Sequence, residues 1–231
     1  MPHAMRTEKT RGRITMAGEM VAQRTSRAFD NKLRSLLKQA AEIFAARGYE
    51  GTSIRDISRS TKIGLSNIYY YVSCKEELLY LIQHNTFASL LQTVKEQISG
   101  VDDPEQRLRL IIRNHIAHFS THMAELKVCA RELGTLTNDY YEGVRRIRRE
   151  YFDLVLETVR SLTERYGSSL DPWLATANLF GMLNWFYQWY GWKANRIRPE
   201  DLADQQLELI LGGIKGKGTA MSVPSDRKKK T

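Results

Sequence analysis

Hydrophobic side chains recur every three to four residues through most of the chain, a spacing typical of amphipathic helices. The first clear run follows Asn31, where Leu33, Leu37, Ala40 and Phe44 share one helical face and Gly48 supplies a stop. Shorter runs predict helices over about 53–60 and 65–72. Longer runs predict helices over about 75–98, 103–121, 123–134, 139–166, 171–192 and 199–213. No segment alternates as a strand does, so the sequence predicts an all-α protein of about nine helices.

Three of these helices have clear N-terminal signals. Ser53 and Asp56 have the spacing of a capping box, in which each residue satisfies a free backbone N–H of the other. Asp103-Pro104 and Asp171-Pro172 place an aspartate at the N-cap and a proline at the first helical position. These residues fix where the second, fifth and eighth helices begin.

The predicted eighth helix is apolar on nearly all sides, which indicates burial on both faces. Its polar interruptions at Asn178, Gly181, Asn184 and Gln188 keep it short of the roughly 20 predominantly apolar residues that a membrane span needs. The first thirty residues show no apolar signal-peptide segment. We therefore expect a soluble protein without a membrane partner.

The basic charge lies at the two ends of the chain. Residues 1–75 hold 14 Lys and Arg against 6 Asp and Glu, whereas the chain as a whole has a net charge of +9. Residues 1–28 are expected to form a flexible basic arm, and residues 215–231 a disordered basic tail. A basic N-terminal third suits a nucleic-acid-binding module, although solvated basic surfaces are also common.

Sequence motifs for catalysis are missing. The chain has no glycine-rich phosphate loop, nucleophile elbow or HExxH helix, so an enzyme is not expected. Its two cysteines, Cys74 and Cys129, are too few for a disulfide framework or a cysteine-based zinc site. A reducing cytoplasm fits this composition, and no cofactor is expected.

Two short helices flank a turn that contains Gly64, which is the arrangement of a helix-turn-helix. The segments Gly48–Ile57, Ile68–Val72 and Lys75–Leu79 resemble the N-terminal DNA-binding domain of the TetR family, and the resemblance spans residues 33–80 without a gap. It implies a three-helix DNA-binding domain over 29–75, followed by a larger helical domain over 76–214 that binds an effector and dimerises. A constitutive helix-turn-helix protein is the alternative, but it would not need the larger domain.

The resemblance also implies a mechanism. A homodimer would bind double-stranded, palindromic operator DNA, and a hydrophobic small molecule would release it by moving the fourth helix. Ligand and DNA would then weaken each other's binding by the same factor. Repression rather than activation is the more frequent activity in this family.

Leu65, Ser66 and Asn67 open the predicted recognition helix. An asparagine there can bond a base edge, and a leucine can contact a thymine methyl group. Three tyrosines follow at 69–71, and they cannot share one helical face, so some pack inward while others offer hydroxyls to phosphates. Of Tyr69, Tyr70 and Tyr71, the resemblance favours Tyr69 and Tyr71 as DNA contacts.

Further DNA contacts follow from the resemblance. Thr52 or Ser53 matches a phosphate-holding position, and Arg55 matches a position that reaches DNA in several members. A cation in the first turn of a helix opposes the helix dipole, so Lys75 is expected to serve a phosphate instead. Cys74 departs from the family pattern, and is either a tolerated small residue or a thiol that senses oxidants.

In this family architecture, one side of the eighth helix lines the ligand cavity and the other joins the ninth helix in a dimer interface. A larger monomeric core is the alternative. The residues expected at the dimer interface are Trp173, Phe180, Tyr187, Leu207 and Ile210.

Residues 181–190 and 198–203 resemble TetR-type regulators of fatty-acid and sterol breakdown, whose effectors are acyl-CoA thioesters. A drug-like xenobiotic is the alternative effector. The arginines at 145, 146, 148 and 149 suit the CoA phosphates, or form a solvated face with nearby glutamates. The residues expected to bind the ligand are His115, His118, Phe119, His122, Arg148, Tyr151, Phe180, Asn184, Trp185 and Gln188.

Three histidines, His115, His118 and His122, share one face of the fifth helix. A single helix rarely arranges three ligands around one metal ion, and no carboxylate shares the spacing. We therefore expect these residues to line the cavity or to pack inside the domain, and no metal is predicted.

Overall fold

The computed structural model describes residues 30–190 and 197–216, and within these ranges every regular element is a helix. The prediction of an all-α fold is thereby confirmed. The expected arm at 1–28, the end of the predicted eighth helix at 191–192 and all but the first two residues of the expected tail at 215–231 lie outside the described residues; Lys215 still belongs to the last helix. The helices are α1 (30–47), α2 (Ile54–Thr61), α3 (Leu65–Tyr71), α4 (Lys75–Ile98), α5 (Pro104–Thr121), α6 (Met123–Arg131), α7 (Asn138–Tyr166), α8 (Pro172–Trp185) and α9 (Pro199–Lys215).

The three helices with predicted N-cap residues begin directly after those residues. The Ser53 hydroxyl accepts from the Asp56 backbone N–H, and the Asp56 carboxylate accepts from the Ser53 N–H, so the capping box is complete. Asp103 caps α5 and Asp171 caps α8, each with a side-chain oxygen that accepts from a backbone N–H of the first turn.

Two helices end earlier than predicted. α6 stops at Arg131 and is followed by a 3-10 turn at Leu133–Thr135, and α8 stops at Trp185 before a 3-10 turn at Phe186–Gln188. In both cases buried side chains from other helices bind the carbonyls of the last turn. These hydrogen bonds satisfy backbone carbonyls that would otherwise accept from N–H groups of a further helical turn.

The chain divides into two compact units, one up to Leu79 and one from Tyr80. The first unit packs α1, α2 and α3 around a small apolar core that includes Leu36, Phe44, Ile57 and Ile68. Side chains that are fully out of solvent hold these short helices together, since helices of seven or eight residues are marginal alone.

The second unit has a larger core. Helix α5 packs against α7 and α9, and α8 packs against α7. The core residues at their centre include Ile112, Tyr151, Val155, Leu183 and Leu207, each at most 3% exposed. Among the described residues, no helix is both long and apolar enough to cross a membrane.

Candidate recognition helix and effector core

Helix α3 turns polar and aromatic side chains toward solvent and is anchored by a single residue. Ile68 is completely buried, and it fixes the helix against the core of the first unit. Leu65, Ser66 and Asn67 are exposed at its N-terminal end. The residues predicted to contact bases are therefore accessible on one short rigid element, as base contacts require.

The three tyrosines of α3 differ in exposure. Tyr69 is 54% exposed and Tyr70 is 72% exposed, whereas Tyr71 is half-buried and its ring lies 5.3 Å from that of Tyr70. The resemblance favours Tyr69 and Tyr71 as DNA contacts, whereas Tyr69 and Tyr70 are the two tyrosines that are exposed.

Thr52 differs from its expected role. Its side chain is 1% exposed, and its hydroxyl donates to the Gly48 carbonyl at 2.8 Å, so it closes the turn after α1. A buried hydroxyl that is already bonded is not available to a phosphate, and this corrects the placement of Thr52 in the DNA interface. Ser53 is exposed, but its hydroxyl is engaged in the capping box with Asp56.

Three basic side chains are exposed on α2 and in the turn that follows it. Arg55 and Arg59 are exposed on α2, and Arg59 pairs with Asp56 at 2.7 Å. The Ser53 hydrogen bonds, with a smaller contribution from Arg59, lower the pKa of Asp56. Lys62 is exposed in the turn and has a left-handed backbone with φ of 58°.

Lys75 has a structural contact in the first unit. Its ammonium donates to the Tyr49 carbonyl at 3.1 Å and lies 3.9 Å from the centre of the Tyr49 ring. These contacts join the start of α4 to the turn after α1. Cys74 is exposed, and its sulfur accepts from the Glu77 backbone N–H at 3.4 Å, so it caps α4.

The second unit contains a buried polar pair at its centre. His115 is fully buried, with Nδ1 3.2 Å from the Tyr151 hydroxyl and Nε2 3.2 Å from the Leu183 carbonyl. Desolvation, with a smaller effect of His118, lowers the pKa of His115 to about 3, so the ring is neutral near pH 7. Desolvation also raises the pKa of Tyr151.

The other two histidines of α5 stack on each other. The rings of His118 and His122 lie 4.5 Å apart, and burial, followed by the effect of His122, lowers the pKa of His118 to about 4. His118 Nε2 is buried without a hydrogen-bond partner. In the described part of the chain no group of three or more His, Cys, Asp or Glu could hold a metal ion.

Aromatic rings surround the buried pair. Phe119 lies 4.8 Å from the His115 ring, and Phe180 lies 5.4 Å from the Tyr151 ring. Phe180 also stacks on Phe152 at 5.5 Å. Four of the predicted ligand-binding residues, His115, Phe119, Tyr151 and Phe180, are thus brought together between α5, α7 and α8.

Three other predicted ligand residues lie at the end of α8 or just after it. Trp185 is 61% exposed in the single chain, so it does not belong to the buried core. Asn184 is half-buried, and the Gln188 amide donates to the Tyr187 hydroxyl at 3.0 Å.

Arg148 and Gln83 hold the end of α6. The Arg148 guanidinium donates to the Cys129 carbonyl at 3.1 Å and lies 5.0 Å from the centre of the Phe87 ring. Gln83 is fully buried and donates to the Glu132 carbonyl at 3.1 Å. The sequence analysis missed Gln83, because a single glutamine inside an amphipathic helix carries no signal of burial.

Large apolar side chains are exposed on both α8 and α9. Trp173 is 55% exposed, as the dimer prediction requires, and Leu174 and Leu209 are 56% and 67% exposed. Leu207 and Ile210, also predicted at the dimer interface, are 3% and 8% exposed in the core of the single chain. Both side chains therefore belong to the core of the single chain, whereas Leu209 is exposed; the apolar residues at 207, 209, 210 and 211 surround the helix, so the sequence leaves its orientation ambiguous.

Two other predicted interface residues are half-buried. Phe180 contacts the buried aromatic cluster, and the Arg131 guanidinium lies 5.8 Å from the centre of the Tyr187 ring. Leu174 and Leu209, which the sequence analysis did not single out, are large apolar side chains that are exposed in the single chain.

Both units match known protein families. Residues 36–80 match the model of bacterial regulatory proteins of the tetR family, and residues 101–214 match that of the tetracyclin repressor-like C-terminal domain. The HTH-type transcriptional repressor NicS of Pseudomonas putida is 31% identical over 111 residues, which are 48% of this chain and 50% of NicS. The match thus spans only half of the length of NicS.

Two longer matches cover most of the chain. The fatty acid metabolism regulator protein of Bacillus subtilis is 21% identical over 190 residues, which are 80% of this chain and 97% of the regulator. A solved structure of AibR, in complex with isovaleryl coenzyme A and operator DNA, is 25% identical with a TM-score of 0.69, and covers 77% of this chain and 96% of AibR.

These relatives are regulators, which confirms the expectation of a regulator rather than an enzyme. The two family models match successive parts of the chain, in the order of a DNA-binding and an effector domain, and together they extend over most of the described residues. The chain therefore belongs to the TetR family of transcriptional regulators.

Proposed function

We propose that this protein is a repressor that binds a palindromic operator as a homodimer and is released by a hydrophobic acyl-CoA effector. Residues 29–75 would bind the DNA, and residues 76–214 would bind the effector and dimerise. The observation that carries the proposal is the exposed polar N-terminal end of α3, in a unit that belongs to the tetR DNA-binding family.

The geometry of α3 supports operator binding. The Asn67 amide can bond an adenine edge, and Leu65 can contact a thymine methyl group. Both are exposed at the start of α3, which Ile68 anchors to the core of the first unit. The exposed Tyr69 hydroxyl and Arg55 guanidinium would contact phosphates. Two copies related by a two-fold axis would place two such helices about 34–36 Å apart.

The exposed apolar side chains of α8 and α9 support the homodimer. Trp173, Leu174, Trp185 and Leu209 are all more than half exposed on α8 and α9. Exposed apolar patches of this kind mark interaction surfaces on soluble proteins. The same helices of a second copy would cover these side chains in an isologous interface.

Two observations support an acyl-CoA effector. The AibR structure that resembles this chain contains isovaleryl coenzyme A, and a fatty acid metabolism regulator matches 80% of the chain. The aromatic cluster around His115 and Tyr151 offers apolar surface with few polar groups, which is the usual chemistry of a small-molecule site. A xenobiotic effector would use the same cluster, but neither relative points to it.

A mobility-shift assay with the DNA upstream of the protein's own gene tests the proposal. We expect a sequence-selective complex that dissociates when oleoyl-CoA is added. A complex that persists in oleoyl-CoA but dissociates with a xenobiotic panel would overturn the acyl-CoA effector alone. A complex that persists with every ligand would favour a constitutive DNA-binding protein.

A further inference from the structure

Arg148 is a largely buried cation on α7 for which the described residues supply no carboxylate. Its guanidinium donates to the Cys129 carbonyl and lies over the Phe87 ring, and none of the ion pairs of the described residues includes it. The neighbouring exposed arginines differ, because Arg145 pairs with a glutamate one turn away and Arg149 with an aspartate. Burial lowers the pKa of Arg148.

This arrangement leaves hydrogen-bonding capacity and charge unmatched. A guanidinium has five N–H donors, and the structure assigns one of them to the Cys129 carbonyl. The titratable groups that act on Arg148 are the Cys129 thiol and the Tyr141 phenol, and neither is a carboxylate. Burial raises the pKa of Cys129 to about 12, so its thiol is neutral near pH 7. A buried cation without an anionic partner is strongly unfavourable.

A second polar group with spare capacity lies at the same helix end. Gln83 donates to the Glu132 carbonyl, three residues beyond Cys129, and its Oε1 is buried without a hydrogen-bond partner. Gln83 and Phe87 are one turn apart on α4, and Arg148 lies over the Phe87 ring. The end of α6 therefore has both a cation without a counter-ion and an unpartnered acceptor beside it.

We propose that Arg148 is the anion-binding residue of the effector site, where a carboxylate or phosphate of the effector replaces the Cys129 carbonyl. Gln83 Oε1 then accepts from a hydroxyl or amide N–H of the same ligand. This inference rests on the proposed function, because it needs an effector in the second unit. A guanidinium prefers a carboxylate or phosphate to a carbonyl, since charge-assisted bonds are about twice as strong.

Binding of the anion has a structural consequence. The C-terminus of α6 carries partial negative charge, so an anion at Arg148 repels it while removing the cation that capped Cys129. As this repulsion moves the end of α6 away from Arg148, it also weakens the bond between Gln83 and the Glu132 carbonyl. An anionic effector thus releases the end of α6 from α4 and α7.

Thermal unfolding at constant ionic strength tests the inference with sodium decanoate, sodium pyrophosphate and uncharged decanol as probes. The variant is Arg148→Met, and the matched control is Arg160→Met, which removes an exposed arginine from the same helix. At roughly ten times the dissociation constant, a bound anion raises Tm by about 3–6 °C. We expect this rise in the wild type and in Arg160→Met, but not in Arg148→Met.

The two anions distinguish a carboxylate from a phosphate as the group that binds. A rise with decanoate alone assigns the site to a carboxylate, and a rise with pyrophosphate alone assigns it to CoA phosphates. If neither anion raises the Tm of the wild type, or if Arg148→Met responds equally, the proposal is wrong. Equal effects of decanol and decanoate would also contradict it.

The variants without probe separate anion binding from a structural role. In Arg148→Met the loss of the bond to the Cys129 carbonyl is offset by the removal of a cation without a counter-ion, so Tm is unchanged or higher. A large fall in Tm would show that the bond at the end of α6 outweighs the unpaired charge, and would overturn the proposal. If Arg148→Met does not fold, Arg148→Lys keeps the charge but not the fork of donors. Arg148→Lys should then need at least a tenfold higher anion concentration than the wild type for the same rise in Tm.

Failure of the proposed function gives a different result. If oleoyl-CoA does not release the wild type from its operator while the anion response still depends on Arg148, the effector class is wrong and the anion site stands. If oleoyl-CoA releases Arg148→Met as readily as the wild type, the anion site is wrong and the effector class stands.

Discussion

His115 should make the second unit sensitive to acid. The ring is fully buried and neutral, and its pKa is lowered to about 3 from an ordinary value of 6.5. In the unfolded chain the ring takes up a proton near pH 6.5, whereas in the folded protein it does not. Because the folded pKa is the lower one, stability is complete above about pH 6.5 and falls as the pH decreases toward 3.

The size of the effect follows from these two values. At pH 5 the unfolded state gains about 2 kcal/mol from protonation of one such histidine, and the folded state gains almost nothing. Replacement of His115 by glutamine removes this difference. The free energy of unfolding of His115→Gln should therefore change about 2 kcal/mol less than that of the wild type between pH 7.5 and pH 5.

Urea unfolding followed by circular dichroism at the two pH values measures this difference. All samples need one protein concentration, because the stability of a protein that self-associates depends on concentration. His84→Gln is the matched control, because it also removes one histidine but leaves the buried His115 in place. His118 is present in every protein, so its own contribution cancels. If His115→Gln loses as much stability on acidification as the wild type, the reasoning about the buried ring is refuted.

Three further changes test the recognition helix, the dimer face and the strained turn. Asn67→Ala should weaken operator binding at least tenfold in fluorescence anisotropy without changing Tm, since each base contact contributes roughly 1–3 kcal/mol; unchanged affinity would remove Asn67 from the interface. Leu209→Lys should shift the sedimentation coefficient from dimer to monomer, and a persistent dimer would place the interface elsewhere. Lys62→Gly should raise the free energy of unfolding by about 1 kcal/mol, because glycine tolerates the left-handed backbone; a lower value would show that the lysine side chain contributes more than the strain costs.

The sequence was most informative where structure is local. Capping residues such as Ser53, Asp103 and Asp171 identify helix starts, because each needs only a backbone N–H two or three residues away. Helix ends were harder to place. The stop of α8 at Trp185 accompanies bonds from His115 and Gln206 to carbonyls of its last turn, and these side chains come from distant parts of the chain.

The role of a side chain could be predicted where its position in the sequence leaves only one group for it to contact. The exposed Leu65, Ser66 and Asn67 were predicted from their position at the start of a recognition helix. Thr52 was not, because a hydroxyl at that position bonds equally well to a phosphate or to the Gly48 carbonyl. Only the fold shows which bond forms.

The orientation of apolar helices could not be derived from composition. Apolar residues occur on all sides of α8, so the sequence could not assign Trp185 to solvent, and Leu209 and Ile210 could not be told apart on α9. Arg148 was predicted as a ligand contact because of its charge. Its burial against Phe87 and its bond at the end of α6 depend on the packing of three helices.

The most direct test of the account is the equilibrium binding of the purified protein to the DNA upstream of its own gene, measured by anisotropy over a range of salt concentrations with and without oleoyl-CoA. We expect tight binding that weakens linearly with the logarithm of salt concentration, is much weaker on scrambled DNA, and is lost when oleoyl-CoA is added. Equal affinity for upstream and scrambled DNA would contradict the proposal that this protein binds an operator.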